Sequence, residues 1–389
     1  MQYLLPIISM ATFAGSLSVR AMDPVLPQVA TDLMVTIQIA ATAASAFAIT
    51  FALVQPALGI IADMFGKPKL IVICLMLLGA SNIAGAFSTS FDVLLITRIL
   101  SGVGGGGVFP ITLSLVGDLF PLRERQVAMS QVLAGAMAGN LLGASLSGVI
   151  GDFIGWRGVL IAIGLLVLGA SVAVGWGFRH QMRMPRKRTN FTAMARNYRD
   201  VFAHPHARVC YAAVFIEGSC VLGLFPFVAA FLADLGEPRL SIAGIVIAGF
   251  AVGGLIYTSS VSRLLPRLGE KGLMIGGGAL VASQLVVIAL GPPWQWQLAS
   301  FLAMGCGFYM IHGSLQTFAS EISVDARGTA VALHAFFFYL GQTAGPIAYG
   351  YGISQFGKVP TVLFAAVVML LLGIVCSRLL KHRHSQIVQ

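Results

Sequence analysis

The sequence predicts an all-α membrane protein of about twelve spans, built as two six-helix bundles related by pseudo-two-fold symmetry. Three observations carry that expectation: the hydropathy of the chain, the placement of its charges between apolar runs, and a repeat relating its two halves. Of the 389 residues, 57% are hydrophobic and only 10% charged, against roughly 25% charged residues in soluble domains. Mean hydropathy is +0.89. A net charge of +10 would suit a nucleic-acid surface, but that needs a basic face on a soluble module, and these charges fall in short breaks between apolar runs. Lipid headgroups are therefore the expected partner, with no nucleic acid. Cys74, Cys210, Cys220, Cys306 and Cys376 are scattered through apolar runs and never spaced C-x-x-C, so neither a disulfide framework nor a metal site is expected.

Apolar runs of roughly 17 to 25 residues are long enough to cross a hydrocarbon core. They fall near 4–27, 37–61, 70–87, 93–117, 127–150, 158–178, 209–232, 241–262, 272–291, 297–318, 329–352 and 360–380. The opening MQYLLPIISMATFAGSLS lacks a basic leader and a small-residue cleavage site, so it reads as a retained first span. Orientation follows from the basic residues. The connections after even-numbered spans, with the C-terminal tail, hold 19 of the 24 Lys and Arg, which places both termini in the cytoplasm. The long polar stretch Arg179 to Arg208, containing RHQMRMPRKR, reads as a cytoplasmic linker, either plain topology signal or a lipid or regulator site. The expected organisation is a first bundle over 1–178, the linker over 179–208 and a second bundle with a short tail over 209–389.

The halves repeat at an offset of about 200 residues, as homologous bundles do. Gly102 and Gly104 match Gly305 and Gly307, Asp118 matches Glu321, and Arg125 matches Arg327. Gly139, Gly143 and Gly148 match Gly341, Gly345 and Gly350, and Pro27 is paired with Pro226.

Between the second and third spans lies GIIADMFGKPK, with Gly59, Asp63, Gly66, Lys67 and Lys69 in the pattern G-x-x-x-D-x-x-G-[KR]-x-[KR]. This resembles the loop between helices 2 and 3 of the major facilitator superfamily. LLITRILSGVGGGG in the fourth span presents Arg98, Gly102 and Gly104 in the spacing of that superfamily's helix-4 motif. MDPVLP in the first span and GAMAGNLLGASLSG in the fifth resemble its drug-export branch, the twelve-helix drug:proton antiporters of the multidrug and sugar efflux type. That branch usually has Gly-Pro where this chain has Gly139-Asn140, although Gly345-Pro346 occurs in the eleventh span. Gly135, Gly139 and Gly143 recur every fourth residue on one helix face. They read either as an ordinary packing stripe or, in the motif's context, as a sliding interface between bundles.

The resemblance implies an inner-membrane transporter that exports small apolar or amphipathic compounds by alternating access, with a proton as coupling ion and no cofactor; the sequence does not fix its oligomeric state, a monomer being the expectation. It also implies that Asp63, Lys67 and Asp118 form a cytoplasmic gating network, the alternative being solvated interfacial charge. No G-x-x-x-x-G-K-[ST] loop is present to use ATP. An uptake transporter, or a sugar or metabolite efflux permease of the same fold, stays open. A polytopic enzyme or a transport-dead sensor is the alternative of another class; no nucleophile or paired-histidine metal motif supports the enzyme, and no catalytic residue is assigned.

Ionisable residues inside spans are costly and so mark function by default. Asp23 and Arg98 lie at similar depth near the outer ends of the first and fourth spans, with Arg20 on the face of Asp23. Glu217 in the seventh span and His312 in the tenth both lie near the inner side, ~10 Å in at ~1.5 Å per residue. Since helices 1, 4, 7 and 10 line the cavity in the resembled superfamily, these are the candidates for proton coupling, with His334 less favoured. Phe109, Phe215, Phe308 and Tyr309, with Gln316, are candidate substrate contacts, since aromatic walls adapt to varied apolar shapes.

Overall fold

The computed structural model describes residues 4–179, 199–323 and 326–380, and no strand occurs among them. In hydrocarbon each backbone N–H and C=O needs a partner inside its own segment, which a helix supplies. The helices are α1 (Leu4–Arg20), α2 (Leu26–Asp32), α3 (Ile37–Phe65), α4 (Lys67–Ala86), α5 (Phe91–Leu119), α6 (Leu122–Gly177), α7 (Pro205–Glu217), α8 (Val228–Asp234), α9 (Leu240–Ala289), α10 (Trp294–Glu321), α11 (Arg327–Phe356) and α12 (Lys358–Leu379).

Among the described residues, nine segments are long and apolar enough to cross a bilayer. Two of them, in α6 and α9, run 51 and 50 residues, far beyond the ~20 that a span needs. Each reverses at one glycine with positive φ, Gly155 (72°) and Gly269 (63°), so each is two spans. The 30-residue α11 adds the twelfth; its polar residues, among them His334 and Gln342, make it less apolar than the other nine segments.

The internal repeat is visible in these breaks. Gly66 (φ 95°) ends α3 as Gly269 ends the first leg of α9, and Gly155 divides α6 as Gly357 (φ 87°) separates α11 from α12. The first span breaks at a 3-10 turn, Asp23–Val25, before α2; the seventh breaks at Phe225–Phe227 before α8. That register matches Pro24 with Pro226, one helical turn from the Pro27 pairing expected from sequence. Local breaks, which proline and glycine control, fix the repeat better than shared letters do.

Two compact units divide the described residues: 4–179 with 226–233 and 238–245, and 199–225 with 234–237, 246–323 and 326–380. The basic stretch 180–198, most of the expected linker, lies outside the described residues, as do the tail from 381 and the side chain of Asp63.

Backbone approach, made possible by glycine, assembles each unit. A Cβ on Gly135 would stand 2.7 Å from the Ser9 carbonyl oxygen, and those on Gly139 and Gly143 would collide with the carbonyls of Phe13 and Leu17. The glycine row of α6 therefore lies on α1 within the first unit. At the end of the same motif a Cβ on Gly148 would collide with the Leu240 carbonyl of α9, so the motif meets α1 along its length and α9 at its end; such backbone approach is the route to close association where no hydrophobic effect draws helices together. Asn140, in place of the usual proline, donates to the Ala136 carbonyl at 3.2 Å inside its own helix. In the second unit, Gly341 and Gly345 lie likewise against the backbone of Phe215 and Ser219.

Candidate functional site

The second unit holds a buried carboxyl–imidazole pair. Proline opens α7 within its first turn, where the missing N–H costs no helical bond, and the helix runs to Glu217 before widening into a π turn, Gly218–Leu222. Such turns free backbone groups, and here they find partners on α11. Tyr349 Oη donates to the Cys220 carbonyl at 2.7 Å, and Ser219 Oγ donates to the carbonyls of Phe215 at 2.9 Å and Gly341 at 3.0 Å. Lower on α7, Tyr211 Oη donates to the Ala330 carbonyl at 3.1 Å and Cys210 Sγ to that of Leu315 at 3.4 Å. Helix α7 is thus pinned to α10 and α11 on both sides of Glu217.

Glu217 has no exposure, and its Oε1 is hydrogen-bonded to His312 Nδ1, whose side chain retains 14% exposure. Aromatic rings enclose the imidazole. Phe308, one turn earlier on α10, stacks on it with centroids 5.2 Å apart, Phe338 of α11 lies 4.8 Å away, and His334 meets it edge-on at 5.0 Å. Glu217 Oε2 and His334 Nε2 are buried without a hydrogen-bond partner. A lone charge in such a place is expensive. The pair escapes that cost either as acid and imidazole or as carboxylate and imidazolium, two neutral-sum states that differ by one proton moved along one hydrogen bond. Taking up or losing one proton leaves a net charge, which is the chemical lever the site offers.

The first unit has a different polar cluster. Asp23 pairs with Arg20 at 3.3 Å rather than holding Arg98 directly. Arg98 instead donates to Asn82 Oδ1 at 3.0 Å and lies over the Phe47 ring at 4.6 Å, while Asn82 Nδ2 donates to Ser18 Oγ at 3.1 Å. Asn82 was missed from sequence, although a single Asn inside an apolar span is the signal that finds it. At the repeat offset, Asp23 and Arg98 correspond to Phe225 and Phe301, two rings 5.6 Å apart. Conversely, Glu217 and His312 correspond to Gly15 and Phe109. Each half therefore carries one ionic cluster where the other has packing residues.

At the far end of α5, Lys67 forms an ion pair with Asp118 and donates to the Ser114 carbonyl at 3.4 Å. Arg125 donates to the Gly117 carbonyl at 2.6 Å, so two cations meet the negative end of that helix. Lys69 is exposed and Gly59 lies within α3. Among the candidate substrate contacts, Phe308 is buried, Phe109, Phe215 and Tyr309 are half-buried, and Gln316 is exposed. No metal-binding group of His, Cys, Asp and Glu occurs among the described residues.

Twelve apolar spans in two repeated halves, with ionisable groups held inside them, define a polytopic membrane transporter. Residues 8–328 match the Major Facilitator Superfamily, and the chain belongs to that superfamily; it is a transporter and not an enzyme. It is 22% identical over 306 residues to the purine ribonucleoside efflux pump NepI of Salmonella paratyphi A, covering 79% of this chain and 76% of that one. It is 25% identical over 348 residues to multidrug resistance protein 2 of Bacillus subtilis, covering 86% and 84%. The crystal structure of the nucleoside transporter NupG superposes with a TM-score of 0.80 at 14% identity, covering 97% of this chain and 100% of that one.

Proposed function

We propose that this transporter exports small apolar or amphipathic compounds across the plasma membrane, by alternating access and in exchange for protons, with both termini in the cytoplasm. The observation that carries this is the Glu217–His312 pair, fully buried at the carboxyl and partly open at the imidazole. A group whose protonation changes the net charge of a dehydrated site makes loading and unloading of a proton felt by the helices that hold it. Helix α7 is pinned to α10 and α11 around that group, so the three helices respond together. The aromatic shell suits flat or apolar solutes. Export as the direction draws support from the relative NepI, which is named an efflux pump, and from a second relative named for multidrug resistance.

The test is flux in proteoliposomes under an imposed pH gradient, with fluorescent amphiphiles and labelled nucleosides offered in parallel. Accumulation of an amphiphile against its gradient, collapsed by a protonophore, is the expected result. Nucleoside flux alone favours a second reading, metabolite efflux, for which the NepI likeness speaks. Flux indifferent to the pH gradient overturns proton coupling.

A further inference from the structure

Resting on the proton-coupled reading above, we propose that His334 is the third member of the proton site, the residue to which His312 hands its proton. Three observations point to it. The His334 ring meets that of His312 edge to face at 5.0 Å between centroids. His334 is 2% exposed, and its Nε2 has no hydrogen-bond partner. Finally, the three groups are graded in depth. Glu217 lies twelve residues into α7, His312 nine residues before the end of α10 and His334 seven residues into α11. At ~1.5 Å per residue these are ~18, ~13 and ~10 Å from the helix ends. Those ends are neighbours, because Cys210 near the start of α7 bonds to Leu315 and Tyr211 bonds to Ala330.

In the proposed step the proton leaves the imidazolium of His312 and binds the lone pair on Nε2 of His334, whose own proton sits on Nδ1. His312 becomes neutral, His334 becomes the cation, and the total charge is unchanged. With His312 Nδ1 kept on Glu217 Oε1, the transfer uses His312 Nε2 and a turn of the His334 ring about its soft terminal torsion. The other titratable groups around the site are Tyr309 of α10, whose ring meets that of His312 at 6.2 Å between centroids, Cys210 of α7, with its thiol on the Leu315 carbonyl, Tyr211, with its hydroxyl on the Ala330 carbonyl, and Cys376 of α12, within electrostatic reach of Glu217. Neutral thiols and phenols are far poorer proton acceptors than a neutral imidazole, which leaves His334 as the acceptor beside His312.

The experiment is pH-difference infrared spectroscopy of the full-length protein in lipid, with no substrate present. The Glu217 carboxyl band is identified by its loss in Glu217→Gln. His334→Gln, and His334→Asn as a second variant should the first fail to insert, are expected to move the pH midpoint of that band by about half a pH unit or more, about a threefold change in proton affinity. A midpoint unmoved in a properly inserted His334 variant overturns the role of His334 and leaves the coupling role of Glu217 standing. A parent spectrum with no band removed by Glu217→Gln overturns that coupling role as well.

Discussion

At the scale of the residue, Glu217→Gln is the decisive substitution. It keeps the shape and neutrality of the protonated acid, so accumulation driven by a pH gradient is expected to vanish while downhill exchange survives; uphill transport at parental level would move the search to Asp23. His312→Ala removes the hydrogen bond to Glu217 Oε1 and strands a second buried oxygen beside the already unpartnered Oε2. A stability loss of about 1–3 kcal/mol follows from leaving such a group unsatisfied, together with a changed pH profile of binding, both readable by thermal unfolding and flux in the same preparation. Glu217 and His312 were legible in the sequence because an ionisable residue in an apolar run stands out, and both fall in the same half of the bilayer whatever the rotation of their helices. The partners of Arg98 were not. Whether it meets Asp23 or Asn82 depends on how α4 and α5 are turned about their axes, which packing decides and run length does not.

At the scale of the element, breaks and close approaches carry the stability. Met34 is the one described non-glycine residue with positive φ (53°) and is 91% exposed; its repeat counterpart is Gly236 (φ 85°). A left-handed conformation costs an ordinary residue roughly 1–2 kcal/mol, so Met34→Gly is expected to raise the thermal midpoint in detergent, by about 1 kcal/mol of stability once glycine's extra chain entropy is counted. A lower midpoint would show that Met34 makes a contact worth more than the strain. The glycine seam predicts the reverse. Gly139→Val drives a side chain into the Phe13 carbonyl and should prevent assembly of α6 on α1, whereas Gly169→Ala, where a Cβ meets nothing, should be neutral or slightly stabilising; equal expression and melting of both would remove the seam. Run length and charge made the spans legible. Their direction of approach was not, since a glycine stripe is the same sequence whichever helix it faces, and the π turn after Glu217 has no composition that announces it.

At the scale of the whole molecule, the repeat and the charge bias make an orientation testable with few positions. Phe87 and Leu290 follow spans three and nine at equivalent places in the repeat and are 72% and 76% exposed. Lys69 and Lys271 occupy the opposite connections and are exposed too. Basic residues near span ends resist translocation, and the connections that the span order puts with those of Lys69 and Lys271, together with the C-terminal tail, contain 19 of the 24 Lys and Arg in the sequence. With the native cysteines replaced, an impermeant thiol reagent added to intact cells is therefore expected to label Phe87→Cys and Leu290→Cys, and to reach Lys69→Cys and Lys271→Cys only after permeabilisation. The equivalence of the two halves sharpens the reading. Because Phe87 and Leu290 are related by the repeat, an even number of crossings between them is required, and the turns at Gly155 and Gly269 each supply one reversal that nine uninterrupted helices would lack. Labelling of one outer position without the other would break the twelve-span count, and labelling of both lysine positions in intact cells would invert the chain, placing its termini outside and leaving the basic residues on the face where the positive-inside rule forbids them.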